Sequence, residues 1–152
     1  MRSAILRPAR WDELRELSAL CLRSKAHWGY DAAFMAACQV ELTLCEGDLS
    51  ESHIQVIEDS GRPVALAQVV IEGGQAEILK LFVDPHAMGK GYGRRLMDWI
   101  LNVARQHNAG RLRIEADPDA AAFYERMGAR YEGEAPSESI PGRSLPLLYL
   151  DL

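Results

Sequence analysis

Residues 88–95 read Met88-Gly89-Lys90-Gly91-Tyr92-Gly93-Arg94-Arg95. Glycines at alternate positions let a backbone turn several N–H groups toward one point and let a ligand approach closely. A helix that opens directly after such a loop adds unsatisfied donors and partial positive charge. Lys90, Arg94 and Arg95 add full charges. The chemistry this suits is binding of a pyrophosphate-like anion. Two nucleotide motifs match the spacing poorly, which leaves a nucleotide-binding protein, taking ATP or NAD, as a minor alternative. The P-loop needs Ser or Thr after its lysine, and Gly91 follows Lys90. The dinucleotide fingerprint needs a third glycine, and Arg94-Arg95-Leu96 follow Gly91-Tyr92-Gly93.

The elements that must position this loop are legible from periodicity. A first strand is predicted over Ser3 to Pro8. A helix is predicted over Trp11 to Lys25, with Leu14, Leu17 and Cys21 on one face. A break at His27-Trp28-Gly29-Tyr30 precedes a second helix over Asp31 to Val40, with Asp31 as its cap. Strands are expected over His53 to Glu58, Arg62 to Ile71 and Glu77 to Val83, forming an antiparallel meander. The glycine loop follows. A helix over Gly93 to Asn108 carries Leu96, Ile100, Val103 and Ala104 on one stripe, and Gly110 serves as its stop. A strand over Arg111 to Ala116 completes a βαβ unit. Asp117-Pro118 reads as a cap and first helical position of a short helix to Met127, ending at Gly128. Strands over Arg130 to Glu134 and Leu147 to Leu152 close the chain. They are joined by a loop, Ala135 to Pro146, that holds three of the seven prolines. The expected fold class is α+β, with a mixed sheet.

Composition narrows the class. The 152 residues are 48% hydrophobic, enough for one cored domain over 1–152. A formal net charge of -5 gives no electrostatic reason to bind nucleic acid. No apolar run approaches membrane-spanning length and no signal peptide opens the chain. Cys21, Cys38 and Cys45 form no CxxC pair and no zinc spacing. Reduced thiols in a cytoplasmic, soluble protein are expected, with Cys21 and Cys38 as small buried residues and no metal.

Val83-Asp84-Pro85 followed by Gly89-Lys90-Gly91-Tyr92-Gly93 resembles the acetyl-CoA motif Q/R-x-x-G-x-G/A of the GNAT superfamily of N-acetyltransferases. Met88 stands at the Q/R position, and Gly91 and Gly93 match. Asp117-Pro118-Asp119-Ala120-Ala121-Ala122-Phe123-Tyr124-Glu125-Arg126-Met127-Gly128-Ala129 resembles a second motif of that superfamily, N-A-x-x-F-Y-x-x-x-G-F, with Asp119 for Asn and Ala129 for Phe. The order of elements matches over essentially the whole chain. The resemblance implies the GNAT fold: a central, largely antiparallel mixed sheet of about seven strands between helical layers.

It further implies acetyl transfer from acetyl-CoA to a primary amine by direct attack in a ternary complex. The cofactor arm would pair like an extra strand with Leu81, Phe82 and Val83. An N–H near Leu81 or Phe82 would polarise the thioester carbonyl. The pyrophosphate would lie on Met88, Gly89, Lys90, Gly91, Tyr92, Gly93 and Arg94, with Asp119 and Tyr124 also near the cofactor. Tyr124 matches the superfamily's general acid, and a phenol can protonate a departing thiolate. Glu77 is the first candidate base, acting through a water from a face shared with Leu79, Leu81 and Val83. Glu115, His27 and His86 are further candidates. His27, Trp28, Tyr30 and Arg143 are expected to line the acceptor side, where an arginine suits an acceptor with an anionic group. The acceptor is a small-molecule or peptide amine, and homodimers are common in the superfamily. The Met88 and Asp119 departures leave an alternative, a non-catalytic acetyl-CoA-binding regulatory module.

Overall fold

The computed structural model describes residues 4–152. The first strand, β1, runs Ile5–Pro8, so Ser3 lies outside the described residues. A 3-10 turn at Trp11–Glu13 leads into α1, Leu14–Ala26. The predicted helix therefore begins with a tighter turn, whose Glu13 carboxylate accepts from Arg10 N and from Arg7. The second helix, α2, spans Ala32–Leu42, and Asp31 caps it by accepting from Phe34 N at 2.8 Å. A six-residue helix, α3, at Glu46–Glu51 has no apolar stripe and escaped the periodicity argument.

Strands β2 (His53–Asp59), β3 (Arg62–Glu72) and β4 (Gln75–Val83) form the expected meander. Helix α4 covers Tyr92–Gln106. It starts one residue earlier than predicted. Its stop is Asn108, in the left-handed region at φ 59°, and not Gly110, whose N–H instead donates to Gly74 O. Strand β5 is Arg111–Glu115 and helix α5 is Ala121–Arg126. Asp117 is not the cap of α5. Its Oδ1 accepts from Asp119 N in a turn that precedes the helix, and Ala120 takes the cap position. Strands β6 (Arg130–Pro136) and β7 (Ser144–Asp151) are longer than predicted, which shortens the loop between them.

The seven strands form one sheet in the order β1-β2-β3-β4-β5-β7-β6. Only β4 and β5 run parallel. Each face carries a helical layer and its own core. One contains Leu96, Met97, Ile100, Leu112, Ile114 and Leu148, with α4 and Tyr124 of α5. The other contains Leu17, Leu20, Cys21, Cys38, Leu42, Val56 and Leu66, beneath α1 and α2. The architecture is a three-layer α/β/α sandwich around a mixed, largely antiparallel sheet. Cys21 and Cys38 are buried free thiols, and burial pushes the Cys21 thiol up to about 12. No helix among the described residues is long and apolar enough to cross a membrane.

Candidate active site

Strands β4 and β5 pair only from Gln75↔Arg111 to Ile78↔Ile114. Beyond that point β4 stays with β3 as far as Val83↔Ala65, and β5 stays with β7. The strands therefore diverge into a cleft that opens at their C-terminal ends. The divergence begins at a bulge: Val69 pairs with Ile78 and Gln68 with Lys80, leaving Leu79 as an extra residue. Leu79 is 45% exposed, unusual for a leucine in a central strand.

The bulge reverses the alternation of side chains. Ile78, Leu81 and Val83 all belong to the core under α4, whereas Lys80 is buried beside Gln68, and Phe82 packs under α1. Glu77, next to Ile78, thus does not share a face with Leu81 and Val83 as regular alternation predicted. It lies on the opposite face, with Lys80 and Phe82. Its Oε2 accepts from Arg113 Nη1 at 2.7 Å, and Arg113 also pairs with Glu115.

The backbone of β4 has a defined phase. Asp84 N donates to Val64 O at 2.8 Å. Alternation in an antiparallel pair then turns Phe82 and Lys80 toward β3, and Leu81 and Val83 toward the cleft. Of the two sequence candidates for a carbonyl-polarising N–H, Leu81 faces the open side and Phe82 faces β3.

The glycine loop joins the end of β4 to α4. Asp84 anchors it. Asp84 Oδ2 accepts from Arg23 Nε and Nη2, at 3.2 and 2.7 Å, and Oδ1 accepts from His86 N at 3.4 Å and lies 2.6 Å from His86 Nδ1. A 3-10 turn at Pro85–Ala87 follows. Gly89 and Gly91 both stand at φ 81°, a region that side chains other than glycine rarely enter. Among the described residues, no acceptor meets the backbone N–H groups of Gly89, Lys90, Gly91, Tyr92, Gly93 or Arg94. The first bond of α4 runs from Arg95 N to Gly91 O, 3.1 Å. Six consecutive donors are thus unspent at a helix N-terminus. Lys90 and Arg94 are exposed, and Tyr92 is buried with its hydroxyl donating to Asp59 Oδ2 at 2.9 Å. Gly93 packs against the Phe123 ring, so α4 and α5 meet beside the loop.

Burial pulls the Asp84 carboxyl up, but Arg23 and His86 outweigh it and hold it below 3.8. A depressed folded-state pKa contributes stability above the unfolded value, and that stability is lost as pH falls through the folded one. Asp84→Ala is expected to cost about 1–3 kcal/mol, read by urea unfolding at neutral pH. A variant as stable as the parent at neutral pH would show that Asp84 is no anchor.

Tyr124 is 6% exposed, and burial raises its phenol above the usual 10. Among the described residues its hydroxyl has no hydrogen-bond partner. The acceptor-side residues are brought together in part. Arg143 Nη2 donates to Tyr30 Oη at 2.8 Å, and Tyr30 Oη donates to Asp117 Oδ2 at 2.6 Å. Burial, then Asp117, push the Tyr30 phenol up to about 12. His27 and Trp28 are exposed and meet edge to face, 5.5 Å apart, without joining that network. Asp119 is exposed in the turn before α5. Sequence reasoning missed Arg23, Lys25, Phe34 and the hub role of Asp117. Each reads locally as an ordinary helix or turn residue, and only packing juxtaposes them.

A diverging parallel pair followed by a glycine loop with free N–H donors at a helix N-terminus is an arrangement that could hold a phosphate-bearing ligand with an extended arm. The model of the acetyltransferase (GNAT) family matches residues 11–129, and the chain belongs to that family. Serotonin N-acetyltransferase 2, chloroplastic, from Oryza sativa subsp. japonica is 29% identical over 93 residues, covering 57% of this chain and 46% of that protein. The chain spans about half the length, or less, of the curated relatives it matches. Among solved structures, PaiA N-acetyltransferase from Thermoplasma acidophilum in complex with coenzyme A superposes with a TM-score of 0.83 at 14% identity, covering 99% of this chain and 100% of that one. N-acetylglutamate synthase from Neisseria gonorrhoeae, complexed with coenzyme A and N-acetyl-glutamate, gives 0.72 at 21% identity, covering 100% of this chain and 36% of that one. These likenesses show the GNAT fold.

Proposed function

We propose that residues 1–152 act as an acetyl-CoA-dependent N-acetyltransferase on a primary amine, by direct attack in a ternary complex. The observation that carries this is the cleft between β4 and β5, opening beside six unspent N–H donors. The donors of Gly89 to Arg94, with Lys90 and Arg94, hold the pyrophosphate. Leu81 and Val83 offer backbone groups to the pantetheine arm, and Leu81 N–H polarises the thioester carbonyl. The amine attacks the acetyl carbon, the C–N bond forms and the C–S bond breaks. One proton must leave the amine and one must reach the departing sulfur. Tyr124 gives the second, since its raised pKa keeps the phenol protonated. Glu77, on the face of β4 away from Leu81 and Val83, takes the first through a water, with Arg113 steering the carboxylate. The acceptor is a small molecule, with amino-acid-like amines favoured by the cationic side chain of Arg143.

Calorimetry with acetyl-CoA, and thiol release with a panel of amines, test this together. Binding at micromolar affinity or tighter is expected, about 8 kcal/mol at 1 μM, with turnover of at least one amine. No binding would overturn the reading. Binding without turnover of any amine would favour the non-catalytic regulatory module.

A further inference from the structure

Lys25, at the end of α1, and Arg143, in the β6–β7 loop, converge on one carboxylate. Lys25 Nζ lies 3.9 Å and Arg143 Nη2 3.8 Å from the same Asp117 Oδ2. These are ion-pair distances and too long for hydrogen bonds. The short bond to that oxygen comes from the Tyr30 hydroxyl. Among the described residues, Lys25 has no hydrogen-bond acceptor and Arg143 spends one donor, on Tyr30. Both side chains are largely buried, 16% and 19% exposed. Their heads lie against a stacked pair of rings, Tyr30 and Phe34, 4.0 Å apart. Arg143 Cζ is 4.8 Å from the Phe34 centroid, and Lys25 Nζ is 5.8 Å from that of Tyr30.

Two cations therefore share one internal carboxylate. Other carboxylates on the neighbouring elements are engaged elsewhere: Asp31 caps α2, Glu41 pairs with the Ser139 hydroxyl, and Glu115 pairs with Arg113. Asp119 and, in the loop of Arg143 itself, Glu138 stand exposed. A local excess of one positive charge, with unspent donors on preorganised and poorly hydrated heads, fits one more carboxylate. The cluster also borders the end of β5 from which β4 diverges. Asp117 is close beyond Ile114, the last β5 residue paired with β4.

We infer that Lys25 and Arg143 form a clamp for the carboxylate of the acceptor, which is an amino acid with a free carboxylate close to the amine that is acetylated. This rests on the acetyl-transfer reading above. Asp117 is then the internal competitor that keeps the clamp closed before the acceptor arrives.

The test is thiol release from acetyl-CoA with the common α-amino acids, the same compounds as carboxamides, and O-phosphoethanolamine. The best acid should exceed its amide at least tenfold in kcat/KM. Lys25→Met and Arg143→Gln should each remove most of that preference without changing KM for acetyl-CoA. Asp117→Asn keeps one oxygen to accept from Asp119 N, and its NH2 can donate to the Tyr30 hydroxyl oxygen; it should lower KM for the acid, an effect that a purely structural role would not produce. Amides that match the acids, a preference that survives both cation variants, or a better phosphoethanolamine each overturn the clamp. Should no compound turn over, N-acetyl amino acids and their amides are titrated into the protein–coenzyme A complex. Equal binding of acid and amide overturns the clamp there too. Calorimetry with acetyl-CoA alone reads the transferase assignment separately.

Discussion

Gly91→Asp is expected to lose acetyl-CoA binding by more than a hundredfold, about 2.7 kcal/mol. Gly91 occupies the cap position of α4 at φ 81°, and an added Cβ would meet nothing within 4 Å. Steric overlap with the protein is therefore not the obstacle. Two other effects are. A side chain in this backbone region costs of order 1–3 kcal/mol of strain. A carboxylate at the mouth of the donor cluster then opposes the charge of a pyrophosphate where the helix N-terminus would favour it. Gly91→Ala carries the strain without the charge and should lose less. Calorimetry on variants whose far-UV circular dichroism matches the parent checks this. A folded Gly91→Asp protein with parental affinity would remove the loop from the cofactor site.

Tyr124→Phe is expected to lower kcat by at least about tenfold while leaving acetyl-CoA affinity nearly unchanged. General acid–base catalysis contributes typically 10²–10⁴-fold, so the expected loss is the conservative end of that range. The ring is buried within the α4-side core, against Phe123 at 5.2 Å. Phenylalanine preserves that packing. The hydroxyl has no protein partner among the described residues, so its loss leaves no orphaned group. Because burial raises the phenol above its usual 10, the donor stays protonated through neutral pH. Steady-state kinetics with a good acceptor give the answer. Unchanged kcat would mean that Tyr124 is a packing residue and another donor serves sulfur.

Much of the fold and of the glycine loop was legible because the signals are local. The stripe Leu96, Ile100, Val103, Ala104 repeats at helical spacing, and all four are buried in α4. Gly89, Gly91 and Gly93 announced a backbone free to turn its N–H groups inward, and Gly89 and Gly91 stand at positive φ. Asp31 announced a cap and accepts the expected bond. The misplacements share a physical origin. Gly110 reads as the helix stop because glycine is the usual left-handed residue, but Asn108 also tolerates that conformation and lies nearer. Asp117 reads as a cap because Asp-Pro commonly starts a helix, whereas its carboxylate is drawn into a turn and toward Tyr30.

By itself the sequence determined the class of site: a glycine-rich anion cradle between a buried strand and an amphipathic helix, and a tyrosine on a short helix after the next strand. Spacing along the chain suffices for these, since each is built from residues within a few turns of one another. Only the tertiary structure decided how β4 presents itself. One extra residue at Leu79 reverses the faces of everything before it, and no local propensity marks a leucine as a bulge. That shift puts Glu77 across the sheet from Leu81 and Val83. It was also the tertiary structure that set Lys25, Tyr30 and Arg143 around one oxygen of Asp117, from three separate stretches of chain. Charges so distant in sequence meet only because one core holds α1, α2 and Ile140 of the β6–β7 loop together.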